Sequence, residues 1–162
     1  MSVELVELNA ENRAWLQGAY PLFIYDLTEY GANYQMDDQG VWQPNYLDYW
    51  MDDSQPVLVN LIRANGCYVG FSFMGHKSFP FKSESADNKI CEFFLMRHAR
   101  RGGMGSKALE LLAERPGIWE LEVLHSNIPA ISFWRKNLAG RSGLQEVSRE
   151  QGLLFRFQTG ST

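Results

Sequence analysis

Six consecutive residues, Arg100-Arg101-Gly102-Gly103-Met104-Gly105, combine guanidinium groups with glycines in a pattern suited to a pyrophosphate. The apolar run Ile90-Cys91-Glu92-Phe93-Phe94-Leu95-Met96 precedes them, and Lys107-Ala108-Leu109-Glu110-Leu111-Leu112-Ala113 follows with helical patterning. A strand, a glycine-rich turn and a helix in that order expose backbone N–H groups at a helix N-terminus, where the positive end of the helix dipole favours an anion. Glycine has no Cβ, so the backbone there can come close to a ligand. Arg97, Arg100, Arg101 and Lys107 crowd this loop, and Arg135 and Lys136 lie further along. A ligand with several phosphates requires such a basic rim. A glycine turn that only caps a helix, with its charges solvated, would need no ligand, and that reading stays open.

Glu92 is an acid inside the apolar strand, eight positions before Arg100. Burial raises a carboxylate pKa toward the range that a general base needs. A Glu92 facing solvent, or paired with a base on a neighbouring strand, would have no such role.

Two other phosphate motifs compete for the loop. Gly103-Met104-Gly105-Ser106-Lys107-Ala108 fits G-x-G-x-x-A, the dinucleotide fingerprint, and Glu122 lies about 20 residues on, as that motif asks. Against it, the mostly polar stretch Arg97 to Arg101 separates the strand from the glycines, and the chain after Glu122 is too short for the remaining βα units of a doubly wound domain. A Walker loop fails outright, because no Gly-Lys-Ser/Thr stands at the required spacing.

A second block follows the strand candidate Gly117 to Leu124: Asn127-Ile128-Pro129-Ala130-Ile131-Ser132-Phe133-Trp134-Arg135-Lys136. The order Arg-x-x-Gly-x-Gly followed by Asn-x-x-Ala-x-x-aromatic-Tyr resembles the GNAT superfamily of N-acetyltransferases. Asn127, Ala130 and Phe133 match that block, and Trp134 stands where the family has tyrosine. The resemblance covers roughly residues 89 to 140. It implies that acetyl-coenzyme A (acetyl-CoA) binds along Arg100 to Gly105 and Ser106, with Asn127, Phe133 and Trp134 beside it. It also implies that the main chain of Phe94-Leu95-Met96 holds the thioester carbonyl and the pantetheine arm, and that Glu92 acts as general base. The reaction implied is direct attack by a primary amine in a ternary complex.

The family tyrosine is assigned as the acid that protonates the departing thiolate, and an indole N–H cannot deliver a proton at ordinary pH. Three accounts stay open. A thiol titrating near 8.5 leaves without a dedicated acid; another tyrosine (Tyr25, Tyr30, Tyr34 or Tyr68) substitutes; or the domain binds acyl-CoA without turning it over.

The acceptor side points to the segment 20 to 53. Tyr20, Tyr25, Tyr30, Tyr34, Tyr46 and Tyr49 lie there with Trp42, Trp50, Asp26, Glu29, Asp37, Asp38, Asp48, Asp52 and Asp53, and no Lys or Arg occurs between Arg13 and Arg63. Aromatic faces beside carboxylates suit a cation, so a cationic amine held by Tyr25, Asp26 and Tyr30 is the expected acceptor. An amphipathic helix with half-buried tyrosines would leave the same pattern. A polyamine-like metabolite, an aminoglycoside-like compound and a protein lysine all fit.

The elements that must position these residues read β-α-(α)-β-β-β-α-β-α-β-β. Val3 to Leu8 alternates as a strand. Asn9 is placed to cap a helix over 10–28 with Trp15, Leu16, Ala19, Leu22, Phe23 and Leu27 on its apolar face, interrupted near Gly18 to Pro21 and ended by Gly31. A loop with a short helix over Asn45 to Met51 leads to a hairpin, Pro56 to Arg63 and Cys67 to Gly75, turned at Asn65-Gly66. Leu144 to Arg149 and Leu153 to Gln158 close the chain as two strands. The resemblance implies a mixed α/β fold: a mostly antiparallel central sheet with helices on both faces, its central strands splayed at the cofactor.

With 162 residues, 45% of them hydrophobic and 21% charged, the chain reads as one globular domain spanning 1–162. The net charge of −4 argues against nucleic-acid binding. No apolar run is long enough to span a membrane, and the acidic, alternating start is unlike a signal peptide. Cys67 and Cys91 read as reduced, buried thiols of a cytoplasmic protein, and no Cys/His cluster has metal-ligand spacing. A homodimer is left open.

Overall fold

The computed structural model describes residues 1–160. The strands are β1 (Val3–Glu7), β2 (Gln35–Met36), β3 (Trp42–Gln43), β4 (Val57–Ala64), β5 (Cys67–His76), β6 (Asn88–Leu95), β7 (Gly117–Leu124), β8 (Gln145–Ser148) and β9 (Gly152–Thr159). The helices are α1 (Arg13–Thr28), α2 (Leu47–Trp50), α3 (Met104–Leu112) and α4 (Ile128–Leu138). Seven strands form one sheet in the order β1-β4-β5-β6-β7-β9-β8. Every pairing in it is antiparallel except β6 with β7. The mixed, mostly antiparallel sheet with helices on both faces is therefore present as expected.

Helix α1 buries Leu16, Ala19, Tyr20, Phe23 and Ile24, the i, i+3, i+4 spacing of a single stripe, against Leu61, Phe71, Phe73 and Phe94 of the sheet. On the opposite face α3 and α4 bury Leu109, Leu112, Ile131, Trp134 and Leu138 against Ile90, Leu121 and Phe155. The hairpin turn is where the sequence places it, with Asn65 and Gly66 both at positive φ (51° and 84°), the conformation that matches the strand twist.

Four expectations are corrected. Cys67, at the start of β5 beside the hairpin turn, is exposed rather than buried. Helix α1 starts at Arg13 rather than residue 10. Asn9 instead caps the turn before it, its Oδ1 accepting the N–H groups of Glu11 and Asn12. The helix also runs unbroken through Pro21. Pro21, Gln17 and Gly18 face solvent, so water can satisfy the carbonyl that proline leaves without a donor. Leu22 lies on that same exposed face, at 48% accessibility, and is no part of the core. The small β2–β3 hairpin had no signal in the sequence.

Strands β5 and β6 approach very closely at Gly70. A Cβ there would lie 2.1 Å from the Phe94 carbonyl oxygen, a backbone atom that cannot turn aside. Gly70→Ala should lower stability by about 2–3 kcal/mol through forced backbone displacement, and urea unfolding would read it as a lower midpoint.

Candidate active site

Strands β6 and β7 pair only through Asn88–Trp119, Lys89–Glu120 and Ile90–Leu121. Beyond Ile90 they part, and a cleft of about 300 Å³ opens between Cys91, Glu92 and Phe93 on one side and Glu122, Val123 and Leu124 on the other. The splay implied by the family resemblance is thus a feature of the sheet.

A bulge marks the point of departure. Met74 of β5 faces Ile90 and Phe73 faces Glu92, so Cys91 is an extra residue in β6. Bulges bend a strand and increase its twist. Ile90 packs on the α3/α4 side, while Cys91 and Phe94 pack on the α1 side. Glu92 shares the face of Phe94 by the two-residue alternation of a strand. Two adjacent residues, Cys91 and Glu92, therefore point toward α1.

The same register decides which main-chain groups face the cleft. The Met96 N–H donates to the Val69 carbonyl across β5 at 2.7 Å. Along an antiparallel strand such pairs alternate, so Met96 and Phe94 are bound to β5, whereas Phe93 and Leu95 turn their N–H and C=O groups to the open edge. Of the three residues whose main chain the resemblance assigns to the thioester, only Leu95 presents its backbone there, and Phe93 joins it.

Burial pushes the Glu92 carboxyl up to about 8, with the Lys89 charge offsetting part of the effect. Tyr34, half-buried in the same cleft, is raised to about 12 by burial and then by the Glu92 charge. Tyr20 is raised for the same leading reason, its ring stacked on Phe73. The Cys91 thiol is pushed to about 12, again by burial first and Glu92 second, so it stays protonated.

The glycine loop occupies the other end of β6. Gly103 is the N-cap of α3 at φ 83°, with no side chain capping it. The first helical N–H groups therefore have no intrahelical acceptor, and the Lys107 N–H is the first to bond back, to the Gly103 carbonyl. Gly102 and Gly103 are exposed, and a Cβ on Gly102 would meet nothing within 4 Å. Arg101 and Lys107 are exposed beside them, and Ser106 is half-buried in the first turn. This uncapped cradle fits a pyrophosphate. Gly105 serves packing instead: a Cβ there would meet Phe133 Cε2 at 3.0 Å and Leu95 Cδ1 at 3.2 Å.

Arg100 is turned away from the cradle. Its Nε donates to the Leu95 carbonyl at 2.8 Å, and its Nη2 pairs with Asp26 Oδ2 at 2.5 Å. Arg97 Nη2 takes the other Asp26 oxygen at 2.7 Å. Burial alone would raise the Asp26 carboxyl, but the two guanidiniums outweigh it and hold it below the usual carboxylate range. Tyr25 is 62% exposed and lines a separate shallow depression with Asp26, Glu29 and Arg97. The Tyr30 carbonyl accepts from Ser126 Oγ at 2.7 Å, joining the end of α1 to the β7–α4 turn. Tyr25, Asp26 and Tyr30 thus sit on the α1 side, outside the lining of the cleft.

Asn127 lines the cleft and caps α4, its Oδ1 accepting the Ala130 N–H at 3.2 Å. Trp134 lines it too, buried against Phe93 and Phe133 with ring centroids 5.4 and 5.1 Å away. Tyr34 is the contributor that sequence reasoning left among several tyrosines. Tyr68 packs on Trp15 and Arg63, away from the cleft. The dinucleotide alternative fails on topology, because a doubly wound sheet needs successive parallel strands and, among the described residues, only β6 and β7 are parallel.

The Acetyltransferase (GNAT) family model matches residues 13–139. No curated protein sequence matches the chain. Among solved structures, an acetyltransferase from Thermus thermophilus superposes with a TM-score of 0.70 at 14% identity, covering 98% of this chain and 97% of its own. The PaiA N-acetyltransferase of Thermoplasma acidophilum, in complex with coenzyme A, gives 0.62 at 16% identity, covering 98% and 99%. The aminoglycoside acetyltransferase AAC(6')-Ib, also with coenzyme A, gives 0.64 at 20% identity, covering 98% and 95%. With its matched family region, parted central strands and uncapped glycine cradle, the chain belongs to the GNAT family of acetyltransferases.

Proposed function

We propose that the chain transfers the acetyl group of acetyl-CoA to a primary amine by direct attack in a ternary complex. The observation that carries this reading is the cleft itself, which joins a half-buried carboxyl facing α1 to an open backbone edge leading to the glycine cradle. Two of the similar structures are N-acetyltransferases or act on aminoglycosides by their names, which supports nitrogen as the acceptor atom.

The loop amides, Arg101 and Lys107 hold the pyrophosphate, and the open edge of Phe93 and Leu95 takes the pantetheine arm and the thioester carbonyl. Acetyl-CoA supplies an activated acyl group whose carbonyl oxygen gains negative charge during attack, and one well-placed backbone donor contributes roughly 3 kcal/mol to such charge. The acceptor arrives as an ammonium ion, and Glu92 in its ionised form removes the proton. Trp134 shapes the wall and donates no proton. The second proton, shed by the attacking nitrogen as the amide forms, neutralises the departing thiolate, which needs no dedicated acid near a thiol pKa of about 8.5.

The second reading, a non-catalytic acyl-CoA-binding domain, is favoured by Trp134 in the place of the family tyrosine. Thiol release from acetyl-CoA across a panel of primary amines separates the two. Turnover with at least one amine is expected; tight cofactor binding without thiol release on any amine would select the binding domain.

A further inference from the structure

We infer that the acceptor is an amine carried on an apolar or aromatic body, and that amines bearing several charges are poor substrates; this rests on the acetyl-transfer reading. The acidic residues of the segment 14–62, which suggested a polycation, are engaged elsewhere or lie away from the cleft. Asp26 is taken by Arg97 and Arg100. Asp37 closes the β2–β3 turn, its Oδ1 accepting from the Gln39 and Val41 N–H groups and its Oδ2 from Gln43. Asp52 accepts from Ser54 and Gln55 within its own turn. Glu29, Asp38, Asp48 and Asp53 are exposed and line no part of the cleft.

What faces Glu92 from α1 and the following loop is Phe23, Leu27, Ala32 and Tyr34. The other carboxylate of the cleft, Glu122, is exposed at the rim. Its Cγ lies only 3.1 Å from where a Cβ on Gly152 would stand, so its stem runs toward β9. One ammonium can thus approach one enclosed carboxyl. A second, carried inward on the same molecule, would be buried against Phe23 and Leu27 with no counter-charge, which is strongly unfavourable. An apolar body gains there instead, in proportion to the area it buries.

The experiment compares 2-phenylethylamine with spermidine as acceptors, by thiol release and by calorimetric titration into the complex with coenzyme A. A kcat/KM at least about tenfold higher for the aromatic amine is expected from burial of its ring. Equal or reversed preference would overturn the inference while leaving acetyl transfer intact. If neither amine releases thiol, the transfer reading is left to the wider panel of primary amines, and the ratio of the two binding constants still decides what the cleft accepts. Ala32→Asp, in a half-buried loop position, adds a carboxylate to this wall and should narrow the ratio. An unchanged ratio in this variant would place the acceptor elsewhere and count against the inference.

Discussion

Glu92→Gln should lower kcat/KM by about 10²–10⁴-fold, the range lost when a positioned general base is removed, and should at the same time stabilise the folded protein at alkaline pH. Gln keeps the shape and cannot take a proton. In the wild type only the ionised carboxylate works, so activity should rise with pH along a limb centred near 8, and the variant should lack that limb. The stability effect has a defined sign. Burial lifts the folded carboxyl from its ordinary value of 4.5 to about 8. Below about 4.5 the group is protonated in both states and costs nothing. Between those values the unfolded chain ionises while the folded one does not, so the wild type loses stability as pH rises, and the loss levels off above 8. Because Glu92 is only half-buried, solvent screening reduces the effect to roughly 1–2 kcal/mol. Thermal melts at pH 4 and pH 9 check it: the two proteins should coincide at the first and the Gln variant should melt several degrees higher at the second. A variant with full activity would remove Glu92 from the chemistry.

Gly102→Asp should weaken acetyl-CoA binding by about tenfold while leaving the melting temperature within a degree or two. The position is exposed, its φ lies outside the left-handed region, and a Cβ there meets nothing within 4 Å, so the substitution costs the fold little. It sets a carboxylate in the anion cradle. At about 4 Å two unit charges repel by roughly 4 kcal/mol at an effective dielectric of 20, and surface screening reduces that severalfold. Gly103→Asp would mix two effects, since φ 83° strains any residue with a side chain. Calorimetric titration with acetyl-CoA is the measurement. Unchanged affinity in the Gly102 variant would mean that the pyrophosphate is held away from the loop.

The cradle could be read from the sequence because everything it needs is local: glycines, a strand before them and a helix after. The Asn65-Gly66 turn was equally readable, since the two residues that need positive φ name themselves. The cleft was not, because pairing between β6 and β7 depends on residues some 30 positions apart. Alternation along Ile90 to Met96 could not show the extra residue at Cys91, and without that register the choice of Phe93 and Leu95 over Phe94 and Met96 is invisible. The engagement of the acids in the segment 14–62 was hidden for a related reason. Composition places Asp26 beside tyrosines, but only the fold brings Arg97 and Arg100 onto it.

The bulge at Cys91 has one more consequence, in the currency of insertions and deletions. Counting outward from it, Ile90 and Phe93 face α4 while Glu92 and Phe94 face α1. Removing Cys91 alone would leave Ile90 directly before Glu92 and restore plain alternation with each of these residues on its present side. The bend of β6 is therefore separable from its side-chain pattern. A lineage could widen or narrow the mouth of the cleft by gaining or losing a single residue here, at the cost of one thiol from the α1-side core and without displacing the carboxyl from the wall it occupies.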